Sequence, residues 1–241
     1  GGDLKEVALL DNFCWGDTDQ PSQLGSLVRA AQGCYDMSKG FQAPFISGKD
    51  SLHNEYIVGK KRVSIPGTLL ISAISVVDDV KRCITMDFKE AGDLIYVVGM
   101  THDELGGSYY YKSRGVAAGN SVPTVDAKRS RALMERLSRA IRDGFVNACH
   151  DCSEGGIGVA AAEMAFAGGL GAEIKLEKVP FKAKYEMRGK KRDDFVLFSE
   201  SNSRFIVGIS PEKQKRFEKA MRGAPIGLIG GVLEDKYFAV Y

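Results

Sequence analysis

The sequence predicts an α/β (α+β) fold. Short apolar runs rich in β-branched residues alternate with segments of helical spacing, and polar, glycine-bearing turns follow several of the runs. The chain has 241 residues, 44% hydrophobic and 27% charged, which is enough apolar material for one large or two medium cores. Such a composition excludes disorder, collagen and coiled coil.

Residues 7–10 read as a buried strand running into the polar turn 11–17, which places Asp11 at a strand end. A helix starts at Ser22, because Leu24, Leu27, Val28, Ala31 and Tyr35 recur at spacings of three and four. The chain returns through Gly40 to a strand at 45–46, and the β-branched runs 63–65 and 68–77 follow as further strands. This first part, residues 1–86, holds too few elements to cover both faces of its sheet and is expected to leave a face or an edge open.

The second part, residues 87–241, opens at Ala91-Gly92-Asp93 with a strand at 94–98. Leu133, Met134, Leu137, Ile141 and Phe145 form a helical stripe, followed by a short strand at 146–149. The alanine- and glycine-rich stretch 155–166 predicts a closely packed helix ended by Gly168-Gly169. Strands at 173–176 and 205–209, a helix from Ser210-Pro211 to Met221, and strands at 226–233 and 237–241 complete the order.

Lysine and arginine total 33 against 31 acidic residues, so a net charge of +2 gives no bulk attraction for nucleic acid or an anionic membrane. The longest strongly apolar stretch, 67–77, is about half of the roughly 20 residues a bilayer requires. Five cysteines lie scattered except for Cys149-His150-Asp151-Cys152, an odd set without further ligands at zinc spacing, which points to a reducing cytoplasm. The start at Gly1-Gly2-Asp3 has neither initiator methionine nor basic head and reads as part of a longer chain.

The polar clusters carry the chemistry. Asp11-Asn12 suits a hydrated cation or a nucleotide hydroxyl, or simply turn hydrogen bonds. In Ser47-Gly48-Lys49-Asp50-Ser51 a glycine permits close approach, and an ammonium and a hydroxyl suit phosphate, although Walker spacing is missing; a plain polar turn explains it equally well. His150-Asp151-Cys152-Ser153-Glu154-Gly155-Gly156 joins a strand to a helix start. There Ser153 or Glu154 can cap, the glycines expose N–H groups, and Asp151 can hold a cation against phosphate oxygens. Ser199-Glu200-Ser201-Asn202-Ser203-Arg204 fits polar recognition or a buried ion-pair network. His53 and His102 read as surface or hydrogen-bonding residues.

With Glu104-Leu105-Gly106-Gly107-Ser108 and Ala162-Glu163-Met164-Ala165, these stretches together resemble phosphoribosylformylglycinamidine synthases, and they occur in that family's order from end to end of the chain. The resemblance implies the second of two tandem halves: a truncated aminoimidazole-ribonucleotide-synthetase-like N-terminal domain (1–86) and its C-terminal α/β domain (87–241). It implies ATP and Mg2+ as cofactors, with Asp11, Gly48 and Lys49 on ATP, Ser51 and Ser153 on the phosphoribosyl substrate, and Asp151 on the metal. Lys49 departs from the short form of the family, where asparagine binds magnesium; a charged lysine cannot. The catalytic histidines would lie in the missing first half, ammonia would come from a separate glutaminase subunit or domain, and the isolated piece would be inactive. Sister enzymes of the superfamily (aminoimidazole ribonucleotide synthetase, thiamine-monophosphate kinase, selenophosphate synthetase) and a non-catalytic nucleotide-binding half are the competing readings.

Overall fold

The computed structural model describes residues 2–116, 121–183 and 193–241. Two compact units divide the chain, Gly2–Asp78 and Asp79–Tyr241.

In the first unit, β1 (Ala8–Cys14) and β2 (Phe45–Ser51) run parallel through the crossover helix α1 (Pro21–Phe41). The hairpin β3 (Glu55–Val58) and β4 (Lys61–Ser64) precedes β5 (Thr68–Ile74), which pairs antiparallel with β1 and gives the sheet order β2-β1-β5. Pro21 fits the first turn of α1, where its missing N–H costs nothing, and Gln42 ends the helix in the left-handed region. The apolar stripe of α1 is not buried: Leu24, Val28 and Tyr35 are exposed, as are Ile46, Leu70 and Ile74 on the sheet. The hairpin is fastened by charge. The Asp17 carboxylate accepts from the Asp19 N–H at 2.9 Å and pairs with Arg62 and with His53 Nδ1, the latter at 3.1 Å, while Glu55 holds Arg62 Nε at 3.1 Å. The Asp19 N–H, with Arg62 and His53, keeps the Asp17 carboxyl below the usual carboxylate range against the opposing effect of burial.

In the second unit, β6 (Leu94–Val98) leads through α2 (Tyr109–Ser113) and α3 (Ala127–Arg142) to β7 (Ala148–Asp151) and α4 (Gly156–Gly168). Next come β8 (Gly171–Ile174), α5 (Asp193–Phe198), β9 (Phe205–Ile209), α6 (Gln214–Ala220), β10 (Ile226–Leu233) and β11 (Phe238–Val240). The sheet order is β11-β8-β10-β6-β9-β7, and among these pairs β11–β8 alone is parallel. Strands and helices alternate along the chain as the sequence suggests, but the pairing is mainly antiparallel, so this layer has α+β character. Alternation along β6 serves two cores: Ile95 and Val97 meet α4, whereas Tyr96 and Val98 meet α3 and α6. Small residues let α4 approach its neighbours; a Cβ on Gly158 would come within 2.9 Å of Leu197, and one on Gly168 would strike the Phe88 backbone.

Candidate functional site

Each unit holds one cluster of the sequence-designated residues. In the first, Asp11 lies mid-strand rather than at a strand end, and Ser47 to Ser51 extend β2 rather than forming a turn. The parallel ladder explains the difference, since its register runs unbroken from Leu10↔Ser47 through Asp11↔Gly48 to Cys14↔Ser51 and overrides the turn composition. A Cβ at position 48 would run into the Asp11 carboxylate, so glycine is what admits that carboxylate to the sheet. Burial and the nearby Asp11 charge push the Cys34 thiol up. Strand alternation puts Lys49 and Ser51 on the face opposite Gly48, and Lys49 Nζ donates to Ser51 Oγ at 2.7 Å. Asp11 with Gly48, and Lys49 with Ser51, therefore form two pairs on two faces.

In the second unit, β7 delivers His150 and Asp151 to the edge of a cleft of about 460 Å³ lined by Asp151, Ser153, Glu154, Glu200, Asn202 and Arg204. The Ser153 hydroxyl donates to Asp151 Oδ2. That bond is the main reason the Asp151 carboxyl sits below the usual carboxylate range; burial opposes it and His150 adds to it. The His150 ring bridges two carboxylates, with Nδ1 3.3 Å from Asp151 Oδ1 and Nε2 3.0 Å from Glu163 Oε2. Neither Ser153 nor Glu154 caps α4: the N-cap is Gly155 in the left-handed conformation, without a side-chain cap. The Ser153 hydroxyl is drawn to Asp151 instead, and a positive φ at Gly155 and Gly156 sets the turn that only glycine adopts freely.

Sequence reasoning missed the brace behind this corner. Glu200 Oε1 accepts from the Gly155 N–H at 2.9 Å and from the Tyr109 N–H at 3.1 Å, tying the 153–156 turn to the start of α2. Arg204, 1% exposed, donates to Ser201 O and Thr101 Oγ1, each at 2.9 Å, and to Ser199 O. Of the two readings left open for this stretch, the ion-pair network is not what forms among the described residues, since the guanidinium bonds to neutral oxygens, while Glu200, Asn202 and Arg204 do line the cleft. The signal was present as a carboxylate and a guanidinium four residues apart before a strand, with two partners of Arg204, Ser199 and Ser201, in the same stretch; the distant partners Gly155, Tyr109 and Thr101 were not legible. His102 is anchored too, with Nδ1 2.6 Å from Lys182 O. Burial raises the Cys149 and Cys152 thiols to about 12 and about 11, so both stay protonated at neutral pH.

Among the described residues no three His, Cys, Asp or Glu side chains gather as a metal cage. The ionised Asp151, 60% exposed at the cleft, fits a magnesium ion of the nucleotide-site kind, in which one or two carboxylates share the ion with phosphate oxygens and water.

The two-faced antiparallel layer with this corner belongs to a class of known proteins. Residues 90–241 match the family model "AIR synthase related protein, C-terminal domain", and the chain belongs to that family. Among curated proteins it is similar to phosphoribosylformylglycinamidine synthase subunit PurL of Thermococcus sibiricus, 37% identical over 215 residues and 89% of this chain. It is likewise similar to the subunit of that name from Methanocaldococcus jannaschii, 32% identical over 228 residues and 93% of this chain. The chain spans only 28% and 30% of the length of these two relatives. T. maritima PurL complexed with FGAR shares the fold, with a TM-score of 0.73 at 20% identity over 98% of this chain and 37% of that one. The same protein complexed with ATP gives 0.68 at 19% identity, over 98% and 35%. No helix among the described residues is long and apolar enough to cross a membrane.

Proposed function

We propose that the chain is the C-terminal part of a cytoplasmic, ATP-dependent carbon–nitrogen ligase of purine biosynthesis. It would join formylglycinamide ribonucleotide to glutamine-derived ammonia, yielding formylglycinamidine ribonucleotide, ADP and phosphate. The observation that carries this reading is similarity along 89% and 93% of the chain to subunits named for that synthase.

In this reading ATP transfers its γ-phosphoryl group to the substrate amide oxygen, ammonia attacks the carbon so activated, and the oxygen leaves as phosphate. The protein contributes position and charge rather than a nucleophile. Asp11 and Gly48 act together on the nucleotide, the missing side chain of Gly48 making room for the carboxylate that Asp11 presents. Lys49, assigned to ATP by resemblance, sits beside Ser51, and the pair offers an ammonium and a hydroxyl to one phosphate. Ser153 contacts substrate, and Asp151 holds Mg2+, which when bound neutralises charge on the transferred phosphoryl group. The remainder of the parent polypeptide and a glutaminase subunit or domain supply the other functional groups.

The test is phosphate release by the full-length parent protein given ATP, magnesium, formylglycinamide ribonucleotide and ammonia, and absence of turnover sinks the reading. The 241-residue chain alone is expected to be inactive. A second reading, a half that keeps a nucleotide without hydrolysing it, is favoured by Lys49, whose ammonium is bound to Ser51 and cannot ligate magnesium. Loss of turnover in full-length Asp11→Ala with an unchanged melting temperature decides against it.

A further inference from the structure

In the second unit a cleft of about 510 Å³ opens between the segment 81–90, the C-terminal end of α3 and the turn 210–213. Five cationic side chains line it, Lys81, Arg82, Lys89, Arg142 and Lys213, against the two carboxylates Glu90 and Glu212. Arg82 and Lys89 are partly neutralised by Asp79 and Asp87. Lys81, Arg142 and Lys213 form no ion pair among the described residues, which leaves three positive charges facing one concavity from three separate elements. Such charges repel one another unless an anion joins them, and a concave wall focuses their potential.

The cleft is also built. Lys213 Nζ donates to Asn147 Oδ1 at 3.0 Å, and Asn147 Nδ2 in turn donates at 3.1 Å to Asp93, which is 3% exposed. The ammonium is thus held in place from the core rather than left on a free stem. Ser210, also lining the cleft, has a buried hydroxyl oxygen without a hydrogen-bond partner. That oxygen lies behind the cleft wall, out of reach of anything in the cleft, so the charged side chains carry the recognition. Ile84, Ile141 and Val146 supply apolar wall, and the volume exceeds that of a single oxyanion.

We propose that this cleft binds a small molecule carrying a phosphate or diphosphate group, with Arg142, Lys81 and Lys213 on the phosphate oxygens. A guanidinium with two ammonium groups matches a multi-oxygen, multiply charged anion better than a lone carboxylate. The proposal stands apart from the ligase reading and survives its failure.

The probe is inorganic pyrophosphate, titrated into the 241-residue chain by calorimetry while alkylation of Cys83 is followed by peptide mass spectrometry. Cys83 lines the cleft and is the exposed thiol of the chain, so it reports occupancy without any substitution. We expect a saturable isotherm, weakened by added salt, and alkylation of Cys83 slowed about tenfold at saturation. Lys81→Glu with Arg142→Glu should weaken binding by about tenfold or more, and Asp151→Asn should leave it unchanged. Absence of saturable binding, an unaltered Cys83 rate at saturation, undiminished affinity in the charge-reversed variant, or an equal loss in Asp151→Asn would each overturn the proposal.

Discussion

Glu200 holds Gly155: its carboxylate accepts the Gly155 N–H at 2.9 Å, and the same oxygen accepts the Tyr109 N–H at 3.1 Å. A single side chain thereby fixes the glycine turn at the mouth of the cleft and the first turn of α2 in one geometry. An ionised acceptor makes both bonds stronger than a neutral one would.

Glu200→Ala orphans both donors and should cost about 1–3 kcal/mol, read from urea unfolding. Faster hydrogen exchange at Gly155 and Tyr109 should accompany it. Glu200→Gln keeps an oxygen acceptor and should lose less; equal losses in the two variants would show that charge, not acceptance, fastens the turn.

Gly48→Ala places a methyl group against the Asp11 carboxylate in the middle of a parallel ladder. The clash should destabilise by about 1–3 kcal/mol. In an Asp11→Ala background the clash is gone, so most of that cost should vanish in a double-mutant cycle by thermal melting. Additive losses would exclude the contact.

The strands at 94–98 and 205–209 were legible in the sequence because Leu94-Ile95-Tyr96-Val97-Val98 and its kin are continuous apolar runs, and burial on both faces demands nothing else; the run 226–233 was legible as well, though it is only partly buried. Strand β2 was not legible beyond Ile46. Ser-Gly-Lys-Asp-Ser has turn composition, and only the neighbouring strand, which local pattern does not encode, draws it into a ladder. The same limit hid the Glu200 brace. In contrast, the corner at 150–156 stood out because several polar residues in succession exceed what a helix cap requires, although Ser153 turned out to serve Asp151 rather than α4.

Ser153→Ala removes the largest influence holding the Asp151 carboxyl low. Its carboxyl 13C titration midpoint should rise toward the ordinary aspartate value of about 3.9. Because the folded value lies below the unfolded one, Asp151 contributes stability above the unfolded pKa, and that contribution is lost as the pH falls through the folded pKa. With the folded value returned toward the unfolded one, the variant should lack most of that contribution, so its stability should fall less steeply than the wild type's as the pH drops below the unfolded pKa. An unchanged midpoint would remove the hydroxyl from the account.

Arg204→Met keeps most of the buried volume but strands the oxygens of Ser199, Ser201 and Thr101. A loss of about 3 kcal/mol or more in urea unfolding is expected, with Arg204→Lys restoring only part because an ammonium cannot span three acceptors in a plane. A near-neutral Arg204→Met would mean that water reaches those oxygens.

The double duty of β6 sets a rule for how sequences of this kind diverge. Its successive residues feed opposite layers, so one codon gained or lost inside 94–98 would transpose every side chain beyond it, putting Tyr96 where alanine-lined space awaits Ile95 and emptying the slot beside Phe217. Exchanging Val for Ile here leaves every side chain on its own face, whereas a change of length is tolerated only in the connections on either side.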